Sequence, residues 1–124
     1  MASFRRAAQR KNFHTYLKAN EMIHVVAIIT AVPGARERVL EAFRANRPAV
    51  LQEDGCIEYN ATVDAAEPAK GWASFGPDTV VIIEKWASRD ALKAHAAAPH
   101  MLAYGAKVKD FVANRAIHVL DPAE

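Results

Sequence analysis

The order of apolar and polar positions in this chain predicts four strands and three helical segments. Met22 to Val32 is β-branched and apolar (Ile23, Val25, Val26, Ile28, Ile29), so it reads as a strand buried on both faces. Pro33-Gly34 ends it. From 35 to 53 the period changes: Val39, Phe43, Asn46 and Val50 recur at helical spacing, opposite a charged face of Arg36, Glu37, Glu41 and Arg44. Pro48 lies inside that pattern and is expected to kink or break the helix near Asn46. Asp54-Gly55 is the stop. A second strand follows from Cys56 to Asp64, with Ile57, Tyr59, Ala61 and Val63 on one side and Cys56, Glu58, Asn60 and Thr62 on the other.

Ala65 to Thr79 is rich in Ala, Gly and Pro, and it is longer than an ordinary hairpin turn. It carries Trp72 and Phe75, which predict either packing on the protein's own surface or a partner, or a lid over a pocket. Val80 to Ala87 is the third strand, with Val80, Ile82, Glu84 and Trp86 on one face. Ser88 is an N-cap for a helix to about Ala97. Pro99 opens another helix with Met101, Tyr104, Val108, Phe111 and Val112 as its apolar stripe. Ala113 to Leu120 is the fourth strand.

The resulting order, β-α-β-β-α-β, predicts an α+β ferredoxin-like fold with a four-stranded antiparallel sheet. One layer of helices covers only one sheet face. The apolar residues on the other face call for a partner, most simply a second copy in a two-fold homodimer.

Composition divides the chain. At 124 residues, a single domain is expected, from 22 to 124. Residues 1–21 differ: five basic residues stand against Glu21 alone, giving a basic N-terminal extension that is either a disordered tail, a non-native leader or a targeting peptide. The remaining chain holds 11 basic and 13 acidic residues, so its body is mildly acidic and gives no electrostatic case for nucleic acid. No apolar run reaches the ~20 residues that span a bilayer. The single Cys56 excludes an internal disulfide and a Cys-rich zinc site, which fits a cytoplasmic protein.

The chain lacks a dinucleotide-binding glycine fingerprint, a Walker loop, a nucleophile elbow and a zinc-peptidase pair of histidines. What remains is a set of residues able to hold and deprotonate a flat, hydroxylated ring. His95 and His100 are candidate bases, since imidazole titrates near neutrality. Trp86 and Tyr104 offer flat faces, and Tyr59 and Asn60 offer hydrogen bonds to a carbonyl or phenol oxygen. Each has a structural alternative: His95 satisfied by a backbone carbonyl, His100 fixing a bend, Trp86 in the core. Glu84 beside Trp86 would be a costly buried charge, so an Arg or Lys partner is expected, within the chain or across a dimer.

The segments Glu53-Asp54-Gly55-Cys56-Ile57-Glu58-Tyr59, Val81-Ile82-Ile83-Glu84-Lys85-Trp86, Ala91-Leu92-Lys93-Ala94-His95 and Ala98-Pro99-His100-Met101 resemble the antibiotic biosynthesis monooxygenase domain family. The resemblance covers about residues 22–120. It implies a dimeric α+β barrel and cofactor-independent monooxygenation of an electron-rich quinol or phenol by O₂. It also implies His95, His100, Trp86, Glu84 and Tyr59 as motif residues; Asn60 and Tyr104 come from face and spacing. The haem-degrading branch needs an Asn late in the first strand and an axial His on the last helix; Ala27 and Gly105 stand at the comparable places, so haem chemistry is disfavoured. The other readings are a non-catalytic dimeric small-molecule-binding or stress-associated module, and an isomerase or lyase using one His without O₂.

Overall fold

The structure is a computed structural model that describes residues 21–123. The extension of residues 1–20 lies outside the described residues. Strands β1 (Ile23–Ala31), β2 (Cys56–Thr62), β3 (Thr79–Trp86) and β4 (Val112–Leu120) form one sheet in the order β2-β3-β1-β4. Every neighbouring pair is antiparallel. Helix α1 (Arg36–Leu51) joins β1 to β2, and α2 (Arg89–Ala97) with α3 (Pro99–Val108) joins β3 to β4, through a 3₁₀ turn at Lys109–Phe111. This is the expected β-α-β-β-α-β order, with the second helical segment split in two.

The helices lie over one face of the sheet. Along β1, Ile23, Val25, Ala27, Ile29 and Ala31 are buried, and the residues between them are half-buried. The strand is therefore not buried on both faces within one chain. The core beneath the helices is built from these positions with Val39, Phe43 and Val50 of α1, Tyr59 of β2, and Val80, Ile82 and Trp86 of β3. Each such side chain, fully buried, stabilises the fold by about 1.5–3 kcal/mol, which is what holds helix to sheet.

Three local expectations are corrected. Helix α1 runs through Pro48 to Leu51 instead of breaking near Asn46. Pro48 lies on the exposed side of the last turn, so the Arg44 carbonyl that loses its N–H donor can turn to water, while Val50 just beyond it is fully buried and holds the turn down. Cys56 does not share a face with Glu58. A bulge lies between them, so Cys56 stands opposite Trp86 while Glu58 stands opposite Lys85. Cys56 and Tyr59 therefore both face the helices. The third correction concerns the β2–β3 connection and the readings of it within one chain: Trp72 is 64% and Phe75 58% exposed. Neither ring is packed into the domain or closed over its core. The base of this connection is nonetheless tied: the Asp64 carboxylate accepts from the Phe75 and Gly76 backbone N–H groups, which hold it below the ordinary carboxylate range, and Asp78 accepts from Gly34 N–H.

The outer edge of β2 is closed by a side chain. Arg47 Nε donates to the Tyr59 carbonyl at 2.7 Å, satisfying an edge group that no strand pairs.

Candidate active site

Three turns of local structure bring the chemistry together. Glu53 lies in the turn after α1. That turn ends at Gly55, whose φ is +83°. A Cβ there would stand 2.6 Å from the Ala91 Cβ of α2, so only glycine lets the turn approach α2 this closely. The Gly55 carbonyl accepts from Ala87 N–H at 2.8 Å, fixing the turn to the start of the α2 connection. Ser88 caps α2 as expected, its Oγ accepting from Ala91 N–H. His95 lies one turn beyond Ala91, on the same side of the helix.

The break at Ala98 does the rest. Ala98 is extended (φ −64°, ψ 139°) and Pro99 starts α3 at its first position. On a continuous helix, residues five apart point about 140° away from each other. The break re-aims His100 so that both rings meet one carboxylate. Glu53 Oε2 is 2.8 Å from His95 Nδ1 and 2.8 Å from His100 Nε2. His95 is 5% exposed. The His100 side chain, at the helix start, is nearer solvent.

The His95 ring is packed among aromatics. It lies against Trp86, with ring centres 4.5 Å apart, and meets Tyr59 edge-on at 5.4 Å. Tyr59 in turn stacks on Phe43 at 5.0 Å. Trp86 and Glu84 are two apart on β3 and share its inner face. The Trp86 indole Nε1 donates to Glu84 Oε1 at 2.9 Å. Burial, first, pushes the Glu84 carboxyl above its ordinary range; the indole N–H and His95 pull it back in part, and Glu53 adds to the rise. Burial likewise raises the phenols of Tyr59 and Tyr104, with the charge of Glu84 next in importance for Tyr59, so both stay neutral donors.

The expected residues divide accordingly. His95, His100, Trp86, Tyr59 and Glu84 are gathered around one buried polar cluster, and Tyr104 is half-buried against the same core. Asn60 is elsewhere: it pairs with Ile83 on the opposite sheet face, accepts from Arg47 and donates to Glu58. Among the described residues, Glu84 has no Arg or Lys partner; the indole of Trp86 takes that place. The acceptor for His95 is a carboxylate, not a backbone carbonyl. Trp86 is both core and neighbour of His95, with no exposed surface. The residue that spacing missed is Glu53. It stands in the turn before Gly55, where a carboxylate reads as a helix-end residue, although it opens the motif segment quoted above. No group of three or more His, Cys, Asp or Glu suited to a metal ion occurs among the described residues. No described helix is long and apolar enough to cross a membrane.

Comparison with known proteins bears on the family and the fold. The family model described as antibiotic biosynthesis monooxygenase matches residues 22–107. The chain is 41% identical over 103 residues to the Escherichia coli K12 protein named "Probable quinol monooxygenase YgiN", a match that covers 82% of this chain and 98% of that protein. Among solved structures, an antibiotic biosynthesis monooxygenase candidate from Caulobacter crescentus CB15 superposes with a TM-score of 0.71 at 28% identity, covering 90% of this chain and 99% of that one. Rv0793 from Mycobacterium tuberculosis superposes with a TM-score of 0.68, also at 28% identity, covering 83% and 96%.

Proposed function

Since this chain belongs to the antibiotic biosynthesis monooxygenase family, we propose that it is a cofactor-independent monooxygenase acting on a quinol or a related electron-rich phenol. The observation that carries this reading is His95. It is a buried imidazole held by Glu53 through Nδ1, and it lies against Trp86 and Tyr59. Such a group removes a phenolic proton near neutral pH, and the flat rings around it match a flat substrate. The balance needs no further reductant: quinol and O₂ give hydroxyquinone and water, with every electron drawn from the substrate. The protein supplies a base, orientation and exclusion of water.

In this reading His95 takes the substrate proton. His100 supports it through Glu53. Tyr59 and Tyr104 donate to the substrate oxygens, and Trp86 and Glu84 shape the floor beneath. Asn60 binds substrate only through a rearrangement that brings it round the β2 edge. The working form is a cytoplasmic homodimer, its sheets facing each other through the side that the helices leave bare.

The test is O₂ uptake by metal-free protein with a panel of hydroquinones. Turnover above the buffer rate, falling by about 10²-fold or more in His95→Ala, is the expected result. Binding of quinols without turnover would leave a small-molecule-binding module, and turnover without O₂ would make it an isomerase or lyase.

A further inference from the structure

Glu53 holds two imidazoles on one oxygen, and that geometry constrains where the protons are. An ionised carboxylate oxygen is an acceptor only, so a ring nitrogen 2.8 Å from it carries the hydrogen. For His95 that nitrogen is Nδ1; for His100 it is Nε2. Neutral imidazole has one N–H, so His95 is left with a bare Nε2. This ring is 5% exposed, and Nε2 has no hydrogen-bond partner among the described residues. A buried polar atom in that condition is a site for a ligand proton.

We propose that Glu53 is a positioning residue that fixes His95 in the tautomer protonated on Nδ1 and bare on Nε2, with His100 as the second donor that keeps the shared carboxylate aimed. Its catalytic consequence rests on the reading of His95 as the base; its structural content does not. A carboxylate behind an imidazole holds the ring's orientation and compensates the positive charge that forms when the ring takes a proton. Here the second imidazole matters as well. The Glu53 side chain is 12% exposed, and a buried carboxylate is costly unless hydrogen-bonded. Two N–H donors on one oxygen offset that cost. The device depends on the Ala98–Pro99 break and on Gly55, which together bring the three groups into reach.

Nitrogen-detected NMR of the imidazoles in the full chain reads the tautomers directly. The expected result is His95 protonated at Nδ1 and bare at Nε2, and His100 protonated at Nε2. Glu53→Gln keeps the shape but offers one ring an amide donor, so the His95 signal moves to a mixture or to the opposite tautomer. His100→Gln retains a donor and moves it less. In turnover assays, Glu53→Gln lowers kcat at least about tenfold with KM changed less than about twofold. A wild-type His95 bare at Nδ1 overturns the inference without any variant, so a folding failure of Glu53→Gln does not shield it. So do unchanged tautomers and unchanged kcat in a folded Glu53→Gln. Wild-type protein that turns over no quinol, yet shows the expected tautomers lost on substitution, sinks the proposed function and supports the positioning role.

Discussion

Glu84 is the residue with the largest mismatch between side chain and surroundings. It is 7% exposed, and among the described residues its one hydrogen-bond donor is the Trp86 indole. Burial lifts its carboxyl above the ordinary value of 4.5. In the unfolded chain the group titrates normally. Between the ordinary value and the raised one, the folded protein holds a proton that the unfolded chain has released, so stability falls as pH rises through that window. Glu84→Gln keeps an acceptor for the indole and has no charge to bury. It is therefore expected to melt a few degrees higher than wild type at pH 7.5, with the difference gone below about pH 4, as thermal melts at the two pH values would show. An equal gap at both pH values would mean that the carboxyl titrates normally in the fold.

At the scale of elements, the site is made by ends rather than by middles. The turn after α1, the end of α2 and the start of α3 each contribute one group. Gly55 is the point at which two of these ends touch. Gly55→Ala meets both a positive φ and a Cβ contact of 2.6 Å with backbone-anchored Ala91. It is expected to cost about 1–3 kcal/mol in urea unfolding and to draw Glu53 away from His95. An alanine variant as stable as wild type would show that the turn can re-form elsewhere. The β2–β3 connection is built differently. Asp64 and Asp78 clasp its base, while Trp72 and Phe75 stand in solvent at its tip. A Trp kept on a loop with a tied base but left unburied is a feature that the single chain leaves unexplained.

At the scale of the molecule, β4 is where the proposed homodimer is to be tested. Its residues are exposed on both faces, with Ile117 56% exposed on the helix side and Leu120 on the other. Beside it, Val26 and Ile28 of β1 and Ile83 of β3 are half-buried on the bare face. Covering such a face takes an interface of about 800 Å² from each partner, which the second copy of the proposed homodimer would supply. Light scattering is expected to give twice the 13.6 kDa of one chain, and Ile28→Lys to give the single mass. Wild-type protein that stays at the single mass at high micromolar concentration would remove the homodimer from the proposal.

The sequence alone determined the element order, the sheet's composition and the buried stripe of α1 at Val39, Phe43 and Val50, because periodicity and turn residues act locally. Ser88, Pro33-Gly34 and Pro99 marked their boundaries through backbone chemistry that needs no tertiary context. Five of the residues gathered in the buried cluster were legible from chemical type and motif. What the tertiary structure decided was which of these groups meet. Pro48 stays helical because Val50 is anchored in the core. Cys56 changes face because of a bulge. Asn60 departs from Tyr59 because successive strand residues point opposite ways, and Arg47 takes it. Glu53 joins His95 and His100 because a glycine contact and a one-residue break close distances of over forty positions in the chain. Spacing cannot report such a meeting, since it depends on the packing of three element ends at once.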